Sequence, residues 1–184
     1  MFSERFKEFI NNNSHRIEEG DWDSLYEHFK YSGCLERAKT LTKILQSIDV
    51  DPLQTMSYVP MNYLREDQYI KEIILRNNYK IKEVDQFAFY RCENLNYVEF
   101  AEGLEIIGHS AFASCKHLEE LYLPSTLKEI HTNAFNLCYE LKNIYFGGTM
   151  EDWLKVDQKS GGIFSNVPAR KIKCIDGLIK LRNM

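Results

Sequence analysis

The chain has 184 residues, of which 44% are hydrophobic and 27% are charged, and its formal net charge is −4. This length and composition are typical of a globular protein that buries a core without disulfides or metals. The acidic balance argues against general electrostatic binding to nucleic acid or to anionic lipid, so we expect neither sequence-specific nucleic-acid binding nor membrane binding.

The first residues of the chain predict where it resides. Charges at Glu4, Arg5 and Lys7 interrupt the apolar stretch that a secretory signal needs. No apolar run approaches the length of about 20 residues that a membrane helix requires. We therefore expect a cytoplasmic protein, which would lie in the host cell cytoplasm if a phage encodes it.

Residues 1–60 show helical spacing. Ser24 and Glu27 are three residues apart, as in a capping box that marks a helix start. A longer apolar stripe with intervals of three and four residues follows, formed by Leu35, Ala38, Leu41, Ile44, Leu45 and Ile48. These patterns predict an N-terminal helical domain of three or four short helices.

The middle of the chain repeats itself every 23 residues. The repeat is easiest to see in Cys92, Cys115 and Cys138, and eight columns match in three consecutive copies. Four of these columns are identical, namely an Ala-Phe pair, the cysteine, and a leucine three residues after it. Self-similarity at a fixed period is the signature of a stacked repeat architecture.

Each copy predicts one strand and one turn. After the cysteine, the pattern in Leu95, Val98 and Phe100 ends in the two-residue alternation of a strand with one buried face. The Ala-Phe stretch is too short for a stable helix, and we expect a helical or 3₁₀ turn there. A 23-residue unit cannot bury its own apolar side, so the copies must stack into a solenoid with a parallel sheet.

The repeat pattern resembles the BspA-like (Treponema-type) leucine-rich repeat family over residues 68–146. The resemblance implies an α+β fold, in which a short leucine-rich-repeat solenoid follows the helical cap. The predicted domains are 1–60, 61–149 for the repeats and 150–184 for a closing segment. In the closing segment Thr149 and Asp152 predict a capped short helix, and Asp176-Gly177 predicts the turn of a hairpin. The first repeat, before Ile81, is two residues longer than the others.

The cysteines and histidines offer the only hints of chemistry. The column of three cysteines, together with Cys34 or Cys174, suggests a metal site. Metal sites normally carry closely spaced cysteine pairs, however, which this sequence lacks. Free cysteine instead suits a tightly packed apolar column. The histidines at 109, 117 and 131 lie on predicted loops, and no nucleophile or phosphate-loop motif accompanies them. We therefore expect no metal, no cofactor and no enzymatic activity.

The outward residues of the predicted sheet form the candidate binding site. Tyrosine offers a large contact area with few torsions to immobilise, which suits protein recognition. The alternative is that these aromatic residues only stabilise the sheet through cross-strand contacts. Glu72 and Ile74 continue the set into the first repeat. The predicted partner-binding residues are Tyr97, Glu99, Glu120, Tyr122, Asn143 and Tyr145.

These observations favour a non-catalytic protein-interaction module that binds a protein partner through its strands, and through the helical domain if that extends the surface. One alternative is an inhibitor from a phage or mobile element that blocks a host defence complex, such as a CRISPR effector, with its acidic surface. Another is a structural component of a phage particle or surface assembly.

The basic residues near the end, Arg170, Lys171, Lys173, Lys180 and Arg182, are typical of a solvated edge that discourages strand addition, and a phosphate site is the alternative.

Overall fold

The computed structural model describes residues 58–59, 61, 63–75, 80–159 and 162–181. The predicted helical domain at 1–60 therefore lies almost wholly outside the described residues, and the domain boundaries stay predictions. Everything below concerns the described part of the chain.

The described residues form eleven strands and one helix. The helix, α1, covers Met150–Lys155. In chain order the strands are β1 (Tyr58–Val59), β2 (Glu72–Leu75), β3 (Glu83–Val84), β4 (Tyr97–Phe100), β5 (Ile106–Ile107), β6 (Glu120–Leu123), β7 (Glu129–Ile130), β8 (Asn143–Phe146), β9 (Asp157–Gln158), β10 (Lys171–Cys174) and β11 (Gly177–Lys180).

The strands belong to two sheets on opposite sides of a solenoid. The short sheet has the order β1-β3-β5-β7-β9, and the long sheet has the order β2-β4-β6-β8-β10, with β11 added antiparallel at its end. We call each odd strand, its following turn and the next even strand a coil, so that coils 1 to 5 stack in chain order. The predicted parallel solenoid is confirmed, and it advances through about four turns.

The register of the long sheet reproduces the 23-residue period. Val98 pairs with Leu121, and Leu121 pairs with Ile144, each 23 residues on. The first step, from Ile73 to Val98, is two residues longer, as predicted. The last step, from Ile144 to Ile172, takes 28 residues because α1 occupies the connection between coils 4 and 5.

Stacked columns of identical residues form the core. The ring of Phe112 lies between two other phenylalanines, 4.9 Å from the ring centre of Phe89 and 5.3 Å from that of Phe135. Phe164 of coil 5 extends this stack at 5.5 Å from Phe135, although nothing in the 23-residue frame marks it. Each aromatic ring thus covers the next, and no single coil has a complete core of its own.

The cysteine column packs inside the solenoid, as predicted. Cys92, Cys115 and Cys138 are fully buried thiols. The sulfur of Cys115 donates to the carbonyl oxygen of Phe89 at 3.2 Å, and that of Cys138 donates to Phe112 at the same distance. The column therefore connects successive coils by packing and by weak hydrogen bonds.

The Ala-Phe stretch differs from the predicted helical or 3₁₀ turn. It is a series of turns in which the backbone amides alternate between two kinds of hydrogen bond. One amide donates to a carbonyl oxygen within the turn, and the next donates to a carbonyl oxygen of the following coil. The Tyr90 amide donates to Phe87 within the turn, for example, whereas the Phe89 amide donates to Ala111. Two positions in each turn have positive φ, such as Phe87 at 57° and Arg91 at 57°, and this interrupts any continuous helix. The same two positions recur in the next coils as Ser110 and Ser114, then Asn133 and Leu137.

The closing segment contains the predicted helix and hairpin. The Thr149 hydroxyl oxygen accepts a hydrogen bond from the Asp152 amide at 3.1 Å, and the Asp152 carboxylate accepts one from the Thr149 amide, also at 3.1 Å. The hairpin forms as predicted, but its two-residue turn is Ile175-Asp176 instead of Asp176-Gly177, because Gly177 pairs with Cys174 as the first residue of β11. β10 also continues the parallel long sheet, so the segment contributes a fifth coil as well as covering the fourth.

Candidate partner-binding surface

The outward side chains of the long sheet form one continuous surface, which we call the strand face. Residues that lie opposite each other on neighbouring strands share a face, so the strand register assigns its members. From β2 to β11 these are Glu72 and Ile74, Tyr97 and Glu99, Glu120 and Tyr122, Asn143 and Tyr145, Lys171 and Lys173, and Lys180 and Leu178.

All six predicted binding residues lie on this face. The alternation in the sequence also predicted that Glu72 and Ile74 extend the face, whereas the lysines of β10 and β11 were expected on a separate edge. The signal for including them was present in Lys171, Ile172, Lys173 and Cys174, which alternate between exposed and buried as the earlier strands do. The role of the six predicted residues in binding a partner stays a prediction.

Three tyrosine rings run across the middle of the strand face. The ring centres of Tyr97 and Tyr122 are 5.4 Å apart, with an interplanar angle of 41°. Tyr122 and Tyr145 are nearly parallel at 4.3 Å, and the Lys173 ammonium lies 5.6 Å from the Tyr145 ring centre. The rings immobilise each other, so a bound partner would restrict few additional torsions.

Carboxylates hold the phenol groups in place. The hydroxyl of Tyr97 donates to Glu99 at 2.6 Å, and the hydroxyl of Tyr122 donates to Glu120 at 3.1 Å. Hydrogen bonding to Glu99 and partial burial raise the pKa of Tyr97. Burial, together with the bond to Glu120, raises the pKa of Tyr122 to about 12. Both phenols are therefore neutral donors at physiological pH.

A shallow groove follows the tyrosine row at the carboxyl ends of the strands. Its volume is about 330 Å³, and its lining includes Glu99 and Glu102 as well as Lys173. The stacked rings of Tyr122 and Tyr145 also line it. Glu102 is engaged structurally, because its carboxylate accepts the Ser125 amide at 3.0 Å. The groove therefore offers one acidic region, an aromatic floor and one basic group.

Several charges on the remaining surface are paired between coils, unlike those of the strand face. Lys116 contacts Glu93 and Lys128 contacts Glu105, each at 2.8 Å between nitrogen and oxygen. Within the described residues, no carboxylate or lysine of the strand face forms an ion pair with another described residue.

The other candidate groups do not converge on one place. His117 contacts Glu140 at 3.2 Å, His131 contacts Glu129 at 3.4 Å, and the His109 ring lies 3.2 Å from the Ser110 hydroxyl. Burial raises the pKa of the Cys115 thiol well above its usual value, which keeps it protonated and unreactive. Across the described ranges, no cluster of three or more His, Cys, Asp or Glu residues could hold a metal ion.

A second cavity, of about 600 Å³, lies at the end of coil 5 between α1, the loop at 162–170 and β11. Trp153, Ile163 and Phe164 form much of its wall, and Arg170 and Lys180 are its charged members. None of the described residues that line it is a histidine, a carboxylate or a cysteine.

Comparison with known proteins places the repeats in a family. A family model described as "BspA type Leucine rich repeat region" matches residues 39–183 in six copies. No significant match was found among curated proteins or among solved structures. In the part of the chain that the structure describes, no helix is long and apolar enough to cross a membrane.

Proposed function

Because the chain belongs to the BspA-type leucine-rich repeat family, we propose that it is a non-catalytic protein-interaction module that binds its partner on the strand face. The observation that supports this most directly is the solvent-facing row of Tyr97, Tyr122 and Tyr145 on a rigid sheet. Tyrosine is enriched among the residues that dominate binding energies in protein interfaces.

The competing explanation is that the tyrosines only stabilise the sheet. Cross-strand aromatic pairs contribute about 0.5–1.5 kcal/mol each, so some stabilisation is expected in either case. Stability alone would not require a phenol hydroxyl, yet Tyr97 and Tyr122 each donate to a carboxylate at the surface. A phenylalanine row would stack equally well, and this difference makes the two explanations separable by mutation.

The first prediction tests the face directly. We expect Tyr122→Ala to reduce partner capture from lysate by about tenfold or more, since a central interface tyrosine is typically worth about 2 kcal/mol. Tyr139→Ala is the matched control, because Tyr139 is 55% exposed on a loop away from the strand face. The amount of captured protein is measured by quantitative mass spectrometry.

Two further measurements complete this test. The unfolding free energy of each variant shows whether a loss of capture comes from a loss of folding. The proposal would fail if Tyr122→Ala, while folded, captured the same proteins in the same amounts as Tyr139→Ala.

A narrower form of the proposal has the protein act inside a cell, as an inhibitor that a phage or mobile element directs at a nucleic-acid-targeting host complex. The observation that favours it is the group of outward glutamates on three successive strands, Glu72, Glu99 and Glu120, since acidic surfaces can occupy grooves built for phosphates. We expect such an inhibitor to release a bound oligonucleotide from the complex in a gel-shift competition. Unchanged nucleic-acid binding at saturating inhibitor would exclude this form and leave the broader proposal intact.

A further inference from the structure

The strand face separates its charges by sign. Glutamates occupy β2, β4 and β6, and lysines occupy β10 and β11, with Asn143 and Tyr145 of β8 between them. Elsewhere on the solenoid, ion pairs between neighbouring coils neutralise several charges, such as those of Lys116 with Glu93 and Lys128 with Glu105. The face is therefore acidic at one end, aromatic in the middle and basic at the other end.

Fold stability explains only part of the basic end, where the Lys173 ammonium lies over the Tyr145 ring. Lys171 and Lys180 lie directly opposite each other on β10 and β11, and like charges in that position are destabilising. Edge lysines commonly prevent strand addition, which accounts for Lys180 on the edge strand β11. It does not account for Lys171 and Lys173, because β10 is paired on both sides. These two lysines are therefore available for a partner that carries negative charge.

The dimensions of the strand face limit what can occupy it. Six strands at a spacing of about 4.8 Å span about 24 Å, and the two outward residues of each strand lie about 7 Å apart. With the full width of six strands and the full length of four residues per strand, the strip measures about 29 Å by 13 Å, an area on the order of 400 Å², whereas a stable protein interface usually buries about 800 Å² on each partner. A second copy of this chain, bound through the strand face alone, would bury too little area for a stable dimer.

An extended peptide fits this strip in length and in width. A segment of about seven residues covers 24 Å at a rise of about 3.3 Å per residue. The groove of about 330 Å³ beside Tyr122 and Tyr145 includes both Glu99 and Lys173, so it connects the acidic and basic parts of the face. A cationic side chain over the acidic part meets carboxylates and tyrosine rings together, and both attract it.

We propose that the strand face takes an extended segment of a partner protein that crosses the strands, with Lys or Arg side chains over β2 to β6 and carboxylates over β10 and β11. This inference rests on the proposed function and specifies the partner's chemistry. Because the binding face carries both signs, affinity depends on the order of charges along the segment as well as on their number. The aromatic middle accepts apolar side chains between the charged ends.

The test compares peptides that differ only in charge order. One octapeptide carries Arg residues at one end, Asp residues at the other and Leu and Ser between them, and a second peptide of equal composition alternates Arg with Asp. Both are titrated with the full chain by fluorescence anisotropy at low ionic strength, where surface charges are least screened. We expect the segregated peptide to bind about tenfold more tightly, because like charges brought together in the alternating peptide weaken binding.

Charge-reversal variants assign the effect to the strand face. Lys171→Glu with Lys173→Glu makes the face uniformly acidic, so we expect this variant to lose its preference for the segregated peptide and to bind an all-Arg peptide more tightly than the wild type does. Lys80→Glu with Lys82→Glu is the matched control, because it changes the net charge equally at exposed positions outside the strand face. We expect the control to bind as the wild type does.

Three outcomes would overturn this inference. Equal binding of the segregated and alternating peptides would show that charge order is not recognised. A dimer in light scattering that Lys171→Glu with Lys173→Glu abolishes would assign the face to a second copy. Binding of a single-stranded oligonucleotide more tightly than the segregated peptide would assign it to nucleic acid. Each of these results is distinct from a failure of the Tyr122→Ala capture experiment, which tests the proposed function itself.

Discussion

At the scale of single residues, Tyr122 shows how one side chain serves both the sheet and its surface. Its ring stacks on Tyr145 at 4.3 Å, and its hydroxyl donates to Glu120. The two-residue alternation of the strand was enough to predict that this side chain points outward. The distance between the rings was not predictable, because it depends on how the 23-residue frame aligns the strands.

Alkaline titration provides a prediction for this residue. We expect Tyr122 to ionise near pH 12 in the folded protein, because burial and the Glu120 carboxylate raise its pKa to about 12. An unfolded tyrosine ionises at about pH 10, so the unfolded state loses this proton first as the pH rises. The resulting contribution to stability is complete below about pH 10 and is lost as the pH rises towards 12.

The measurement is an absorbance titration of tyrosinate, taken as the difference between the wild type and Tyr122→Phe. Glu120→Gln removes the carboxylate and should shift the step to lower pH, and the Tyr139→Phe difference provides the reference curve. A wild-type step near the unfolded value would contradict the burial and hydrogen bonding described for Tyr122.

At the scale of elements, α1 shows how a small capped helix covers the end of a repeat stack. The helix occupies the longest connection between coils, from coil 4 to coil 5, and it places Trp153 5.2 Å from the ring centre of Phe146, edge to face. The capping spacing of Thr149 and Asp152 predicted this helix because both partners are local in sequence. Its exposed face includes Leu154.

Removal of the cap provides the prediction for this element. We expect Thr149→Ala to lower the unfolding free energy by about 1 kcal/mol, because the Asp152 amide loses its acceptor. Thr149→Ser should retain most of the stability. Glu151→Ala, in the same turn, is the control, and we expect a smaller loss because it removes only an exposed ion pair with Lys155. Urea unfolding measures all three, and equal losses for Thr149→Ala and Glu151→Ala would show that the cap is not stabilising.

The elements that sequence reasoning missed are those without a local signature. The short sheet has strands of two residues, such as Ile106–Ile107, which are too short to show an alternation. The left-handed turn positions carry residues such as Phe87 and Leu137, whereas glycine is the usual marker of positive φ. Hydrogen bonds to the neighbouring coil hold these residues in place, and such bonds cannot be inferred from the sequence of a single repeat.

At the scale of the whole molecule, stability depends on contacts between adjacent coils. Phe112 contacts Phe89 and Phe135, while those two rings make no contact with each other among the described ring pairs. The 23-residue period predicted that successive copies stack on each other, and the structure adds that their phenylalanine rings form the stack. It did not predict Phe164, since the longer last step moves that residue out of the 23-residue frame.

Double-mutant cycles test this nearest-neighbour behaviour. We expect Phe89→Leu and Phe112→Leu to couple by about 0.5 kcal/mol or more, because their rings are in contact. Phe89→Leu and Phe135→Leu, two coils apart, should be additive within about 0.3–0.5 kcal/mol. Urea unfolding provides the free energies. A coupling between the separated pair as large as that between neighbours would mean that the solenoid responds as one undivided core.

The equal steps between coils 2, 3 and 4 have an evolutionary consequence. A gene duplication that copies 23 residues in frame would add one coil whose cysteine, Ala-Phe pair and leucine already match both neighbours. Each such event would move Glu72 and Lys173 apart by one strand spacing, about 4.8 Å, while the unequal steps at the two ends stay unchanged. The length of the strand face can thus change only in whole strand spacings, and descendants of this gene could lengthen it by one coil at a time.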